Sequence, residues 1–277
     1  ALPDDLQARG LMHPIERLRY VARAGGVDHA ALAEEVARAL AGFVDDPSGL
    51  VTACRRIIDR HPTSGPMWWL AARVLATNDP RAEAFRCVSI LQDDKTTAAL
   101  AYELPDEITV TVLGWPEQVG GALIRRGDVR SLVVDSLGEG AGLVRRLEHS
   151  DSPAEEIPPA NLAGAVRWSN VVLLEASAVG PESFVAVAGS HAAAAVARDT
   201  DADVWLVVGE GRLLPERLWE SVVDRLDQAG EPWELDEEIV PLSLVDRVVG
   251  PKGLEPVEAM LRRTDTPVVP ELLKSTI

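Results

Sequence analysis

Cysteine is almost missing: only Cys54 and Cys87 occur in 277 residues, both inside stretches of helical periodicity. So few thiols exclude a disulfide framework, point to a reducing compartment and leave both residues to serve as small core side chains. Basic charge is short as well. Asp and Glu number 44 against 27 Lys and Arg, a net charge of -17, so the field around the chain repels polyanions and a broad nucleic-acid-binding face is excluded. A single phosphate gripped by a few local donors is still compatible with that field. No apolar run approaches the roughly 18 residues that a membrane span needs, and residues 1–10 lack a basic stretch followed by an apolar one. A cytoplasmic protein with no membrane contact is expected. The histidines His13, His29, His61 and His149 lie in or near helix ends without metal-ligand spacing, so neither a metal nor another cofactor is expected. Internal repeats and low-complexity tails are absent too.

What is present is a globular composition, 47% hydrophobic and 26% charged, enough for a sizeable core. From residue 11 to about 103 the apolar periodicity is helical, with Ile15, Leu18 and Ala22 on one face and Leu32, Val36, Leu40 and Phe43 on the next. Breaks fall at Gly25-Gly26, Asp45-Asp46-Pro47, His61-Pro62 and Asn78-Asp79-Pro80, where caps and prolines terminate or start helices. The run Met67, Trp68, Trp69, Leu70 is too dense for a solvent-facing helix, which predicts a tryptophan packed against a second domain. After Leu104-Pro105 short β-branched runs alternate with helical stretches, the mark of strand and helix units around a parallel sheet. Strands are expected over 108–113, 129–135, 171–175 and 204–208, each unbroken and apolar as in strands covered on both faces. Helices are expected over 117–126, 140–147, 190–198 and 215–228, with last strands over 239–242 and 245–249 and an exposed loop over 149–159. The fold class is α/β, with a helical bundle over 1–104 followed by a Rossmann-like parallel-sheet domain over 105–277.

In an open parallel sheet, ligands bind beyond the carboxyl ends of the strands, and here those positions are polar. Asp135 and Ser136, Glu175 and Ser177, and the turn Gly209, Glu210, Gly211, Arg212 each follow a strand. The glycine turn would let backbone amides approach an oxyanion, with Arg212 adding a bidentate contact, or Arg212 would simply pair with a surface acid. Gly189, Ser190 and His191 open a helix and would present backbone amides to an anion, although Ser190 is equally an ordinary cap. Asp135, Glu175 and His191 are the candidate catalytic groups: convergence of Asp135, Glu175 and Glu210 would raise one pKa for proton transfer or else hold a metal, and a histidine titrates near neutrality. Outward pairing with an arginine is the competing reading, favoured for Glu210 over Glu175. The run Gly138, Glu139, Gly140, Ala141, Gly142 lacks dinucleotide-fingerprint spacing, and Glu139 places a negative charge where a pyrophosphate would lie, so it is read as a flexible turn.

The order of landmarks from 105 onward resembles the initiation factor 2B family, which includes methylthioribose-1-phosphate isomerase and ribose-1,5-bisphosphate isomerase. The resemblance rests on ITVTVLG, VVDSLGEG, VVLLEASAVG followed by GSHAAAAVAR, DVWLVVG and VPLSLVDRVVGPKG, about 60% of the chain. It implies a helical N-terminal part, a Rossmann-like domain, a phosphorylated sugar or nucleotide held between the two by Ser177, Gly189, Ser190, Gly209, Gly211 and Arg212, and a homodimer formed through the α/β domain. The family's catalytic aspartate, however, falls at Ser177, its Asn-Lys pair at Ala186 and Val187, its cysteine near Leu113 or Gly114 and its arginine at Leu137. An aldose–ketose isomerisation needs an acid and a base, and neither inherited group is there. The expectation is a non-catalytic binder with a regulatory or assembly role; the alternative is a sugar-phosphate isomerase working with substitute groups.

Overall fold

The computed structural model describes residues 29–43 and 45–273. The helix expected around Ile15, Leu18 and Ala22 lies outside the described residues. Asp46 and Asp79 start their helices as their chemistry dictates: each carboxylate accepts from the backbone amide three residues on, and each precedes a proline in the first turn. Helices α1 (His29–Leu40), α2 (Pro47–Arg60), α3 (Gly65–Leu75) and α4 (Pro80–Gln92) form one packed layer. Helix α5 (Thr96–Glu103) sits instead on the sheet that follows, where Leu100 and Leu104 are buried. Arg126 secures the crossing by donating to the carbonyls of Ala101, Leu104 and Pro105. Its guanidinium also holds the Asp128 carboxyl down at about 2, with a hydrogen bond from the Glu107 amide adding to the effect.

The α/β part alternates as the β-branched runs require: β1 (Thr109–Leu113), α6 (Glu117–Arg126), β2 (Arg130–Val134), α7 (Gly140–Glu148), β3 (Ala154–Ile157), α8 (Leu162–Trp168) and β4 (Val171–Glu175). Then follow β5 (Ala178–Val179), β6 (Ser183–Val187), α9 (Ser190–Ala197), β7 (Asp203–Val207), α10 (Glu216–Ala229), β8 (Glu237–Pro241), β9 (Arg247–Gly250), β10 (Gly253–Glu255) and α11 (Val257–Leu261). Seven strands form the main sheet in the order β10-β9-β7-β4-β1-β2-β3, parallel throughout except for β10 against β9. The chain winds outward through β2 and β3, then returns past β1 to β4. This reversal opens a crevice between the carboxyl ends of β1 and β4, the position at which doubly wound sheets bind ligands.

The sequence reading differs from the structure at three places, while the turn expected at Gly138 is present. Residues 149–159 are not wholly a loop, because they contain edge strand β3, whose Glu155 and Glu156 are the charges that protect an exposed edge and so hide it from an apolar-run search. Residues 239–242 contribute to β8, which pairs antiparallel with β6 in a separate three-stranded sheet, β5-β6-β8. The turn at Gly138 is built on left-handed backbone at Leu137 and Gly138, with φ of 60° and 75°. Helix α8 went unread because its seven residues include a glycine.

The small sheet is the mortar of the molecule. Ala178, Val185 and Ile239 face the helical layer, whereas Val179, Phe184, Ala186 and Val240 face the main sheet, the two-residue alternation serving two cores at once. Trp68 and Trp69 are both buried, and Trp69 reaches into the α/β part. Its ring lies under the turn after β7, 3.1 Å from where a Cβ on Gly211 would sit, while its Nε1 donates to Asp265 at 3.1 Å. Arg73 lies over the same ring and pairs with Glu83 and Asp265. Cys54 and Cys87 are buried, and burial pushes both thiols up to about 12, as inert core residues. Trp69→Ala would open a cavity at this junction and is expected to cost roughly 3–5 kcal/mol in urea unfolding monitored by circular dichroism.

Candidate functional site

The carboxyl edge of the sheet is where the sequence places its polar groups, and there each acid has a partner of its own. Asp135, after β2, accepts from the Gly140 amide at 2.9 Å and starts α7. Glu175, at the end of β4, accepts from the amides of Gln118 and Val119 at 2.9 and 3.1 Å, which puts a negative charge on the first turn of α6. Its other oxygen meets Arg212 Nη2 at 3.1 Å, and both side chains are almost wholly buried. Arg212 Nη1 donates to the Ala176 carbonyl. The guanidinium is therefore committed to a buried acid, and the expected ranking of the two acids is reversed: Glu175 takes the arginine, while Glu210 does not.

The helix start at Gly189 is filled in the same manner. Both the Gly189 and His191 amides donate to Glu238 Oε1 at 2.8 Å, the two-amide grip that an incoming oxyanion would use. Gly189 needs its left-handed φ of 99° to present them, and a Cβ there would come within 3.0 Å of Leu113. The Ser190 hydroxyl is buried beside these amides with no hydrogen-bond partner among the described residues. Ser177 Oγ donates to Glu237, the residue next to Glu238.

Two neighbourhoods therefore replace a single ring of expected site residues. In one, Gly209, Gly211 and Arg212 face the helical layer, with the Cβ position of Gly65 only 2.8 Å from Arg212 Cα and 2.9 Å from Ser177 O. In the other, Gly189, Ser190 and the exposed His191 face the two glutamates of β8. Ser177 lies between them. The three catalytic candidates Asp135, Glu175 and His191 are spread over three helix starts, and no hydrogen bond joins any two of them. Among the described residues no group of three or more His, Cys, Asp and Glu side chains is placed to hold a metal ion.

Asp94, Gln118, Glu237 and Glu238 are the site residues that sequence reasoning passed over. Asp94 accepts from the Thr96 amide and hydroxyl, from Gln118 Nε2 at 2.7 Å and from the Glu210 amide at 2.9 Å. Burial, and after it the Asp94 charge, push the Glu210 carboxyl above its usual range. Glu139 is raised likewise by burial and then by Asp135 and Asp236. The crevice is thus lined by acids, of which Asp94, Asp135, Glu175 and Glu238 are met by backbone amides.

No protein-family model matches the chain, and no curated protein matches it in sequence. Solved structures do. The translation initiation factor eIF-2B of Pyrococcus horikoshii OT3 superposes with a TM-score of 0.74 at 14% identity, over 94% of this chain and 100% of that one. The chain has the fold of the initiation factor 2B subunits. The beta subunit from Chaetomium thermophilum gives a TM-score of 0.71 at 15% identity, covering 94% of both chains. A chain of the tetrameric beta2-delta2 complex from the same organism gives 0.72 at 16% identity, over 95% of this chain and 98% of that one. The positions that the resemblance matches to catalytic groups carry Ser177, Ala186, Val187, Leu113 or Gly114, and Leu137, and only Ser177 among them has a polar side chain.

The buried pair is the element most exposed to test. Glu175→Gln strands Arg212 in a dry site and is expected to cost about 3–5 kcal/mol of stability, whereas Glu175→Leu combined with Arg212→Met costs less than the sum of the two single changes, as read by denaturant unfolding.

Proposed function

We propose that the chain is a non-catalytic, initiation factor 2B-like protein with an assembly or regulatory role, forming a homodimer through its α/β domain. One observation carries this reading: every helix start at the carboxyl edge described above is already filled by the protein's own carboxylate, Asp135, Glu175 or Glu238. An acid tied to backbone amides, and in the case of Glu175 to a buried guanidinium as well, is held in place, which suits a scaffold and not a group that must swing between proton donors and acceptors. The assembly role draws support from the neighbour in the tetrameric beta2-delta2 complex, a protein of this fold that works within a larger body. Broad exposure of Trp168 and Trp233 gives the surface apolar anchors of the sort that interfaces use.

A second reading, that a phosphorylated sugar or nucleotide occupies the crevice, is favoured by the partnerless Ser190 hydroxyl beside two amides. Such a ligand has to displace Glu238 from Gly189 and His191. Incubation in deuterated water with ribose 1,5-bisphosphate or methylthioribose 1-phosphate, followed by NMR, tests both. The non-catalytic reading expects no exchange of substrate protons and no rise in Tm with either compound. A rise in Tm that grows in Glu238→Ala would establish the ligand. Proton exchange abolished by Glu175→Gln would overturn the non-catalytic reading in favour of an isomerase with substitute groups.

A further inference from the structure

Between the helical layer and the sheet lies a chamber of about 30 Å³, enough for one water-sized particle. Ala30, Pro66 and Leu91 make its apolar wall, and Asp94, Glu117, Gln118 and Glu210 line the polar side. That side is rich in acceptors, of which Asp94 already takes four donors while Gln118 Oε1 takes none. The Gln118 amide nitrogen is spent on Asp94 Oδ2 at 2.7 Å, which fixes the orientation of the amide and leaves Oε1 buried without a hydrogen-bond partner. Gly209 packs against both groups: its Cβ position would fall 2.7 Å from Gln118 Oε1 and 2.6 Å from Asp94 Oδ2, so bare backbone is what lets the two oxygens meet there. The Glu210 carboxyl lines the same space and accepts no hydrogen bond from the described residues. Arg212 also lines it, but its charge is directed to Glu175 and Ala176.

A buried acceptor left without a donor is costly, and Gln118 Oε1, set beside the half-buried carboxylates of Asp94 and Glu210, defines what that space favours: a particle that is positive, small and content with oxygen. We propose that this chamber binds a small monovalent cation through Glu210, Asp94 and the Gln118 carbonyl oxygen, and that the ion ties the helical layer to the start of α6 and to the turn after β7. The donor set is hard oxygen with no thiolate or imidazole, which excludes zinc and its neighbours. Two carboxylates, one of them already sharing four donors, give too weak a grip to strip the hydration shell of magnesium. Burial first and the Asp94 charge after it oppose a bare Glu210 carboxylate, with Arg263 and Lys252 offsetting part of the effect, so further positive charge within the chamber relieves the site. The three binding groups come from the α4–α5 connection, α6 and the β7 turn, so an ion here bridges elements far apart in sequence.

Melting curves of the full chain in sodium, potassium, ammonium and tetramethylammonium chloride at equal ionic strength and neutral pH test the proposal. A saturable rise in Tm of about 2–4 °C is expected with at least one of the small ions over tetramethylammonium, which the chamber is too small to admit. Glu210→Gln is expected to abolish the difference. Sodium NMR line broadening, reversed by potassium, gives a second readout on the unmutated protein should that variant fail to fold. Equal melting in all four salts, a response preserved in Glu210→Gln, a preference for magnesium, or a Tm that follows pH alone, the mark of a proton on Glu210, would each overturn it.

Discussion

Glu175 is the anion around which the carboxyl edge is organised. It ends β4 at the point where the winding of the sheet reverses, and it gives one oxygen to the first amides of α6 and the other to Arg212. Arg212 in turn fixes the turn after β7, whose Gly211 rests on Trp69 of the helical layer. A charge that is so fully buried persists only when its partners are complete, so the pair, the helix start and the layer junction stand or fall together. Asp135 and Glu238 repeat the theme at two other helix starts, with the peptide dipoles and free amides of each first turn met from within the chain.

The chain keeps the fold of the initiation factor 2B subunits while its own acids occupy the helix starts at the carboxyl edge of the sheet. The crevice between β1 and β4 is still formed by the topology of the sheet, because strand order is decided by apolar runs and crossovers. What fills it is decided by single side chains. Ser177, just after β4, carries a hydroxyl that is turned to Glu237. Ala186 is part of the packing between the small and main sheets.

Much of the fold was legible in the sequence because β1, β2, β4 and β7 are buried on both faces and therefore read as unbroken apolar runs. Strand β3 was not, since its edge position puts Glu155 and Glu156 in an otherwise apolar pattern. The small sheet escaped notice because β5 has two residues and the pairing of β6 with β8 joins segments some fifty residues apart. At the site, the acids after each strand and the Gly189 helix start were read from spacing alone. Their partners were not: the Glu210 amide meets Asp94 across 116 positions and the His191 amide meets Glu238 across 47, and a sequence without its fold offers no signal for such pairs.

Backbone amide NMR tests most directly whether the crevice is filled by the protein's own anions. Resonances of Gln118, Val119, Gly189 and His191 should stay in place as inorganic phosphate is titrated into the unmutated protein, with Gly189 and His191 moving only after Glu238→Ala has cleared their partner. Saturable shifts of those amides in the unmutated protein would mean that the cradles are open to outside anions, and would contradict the account.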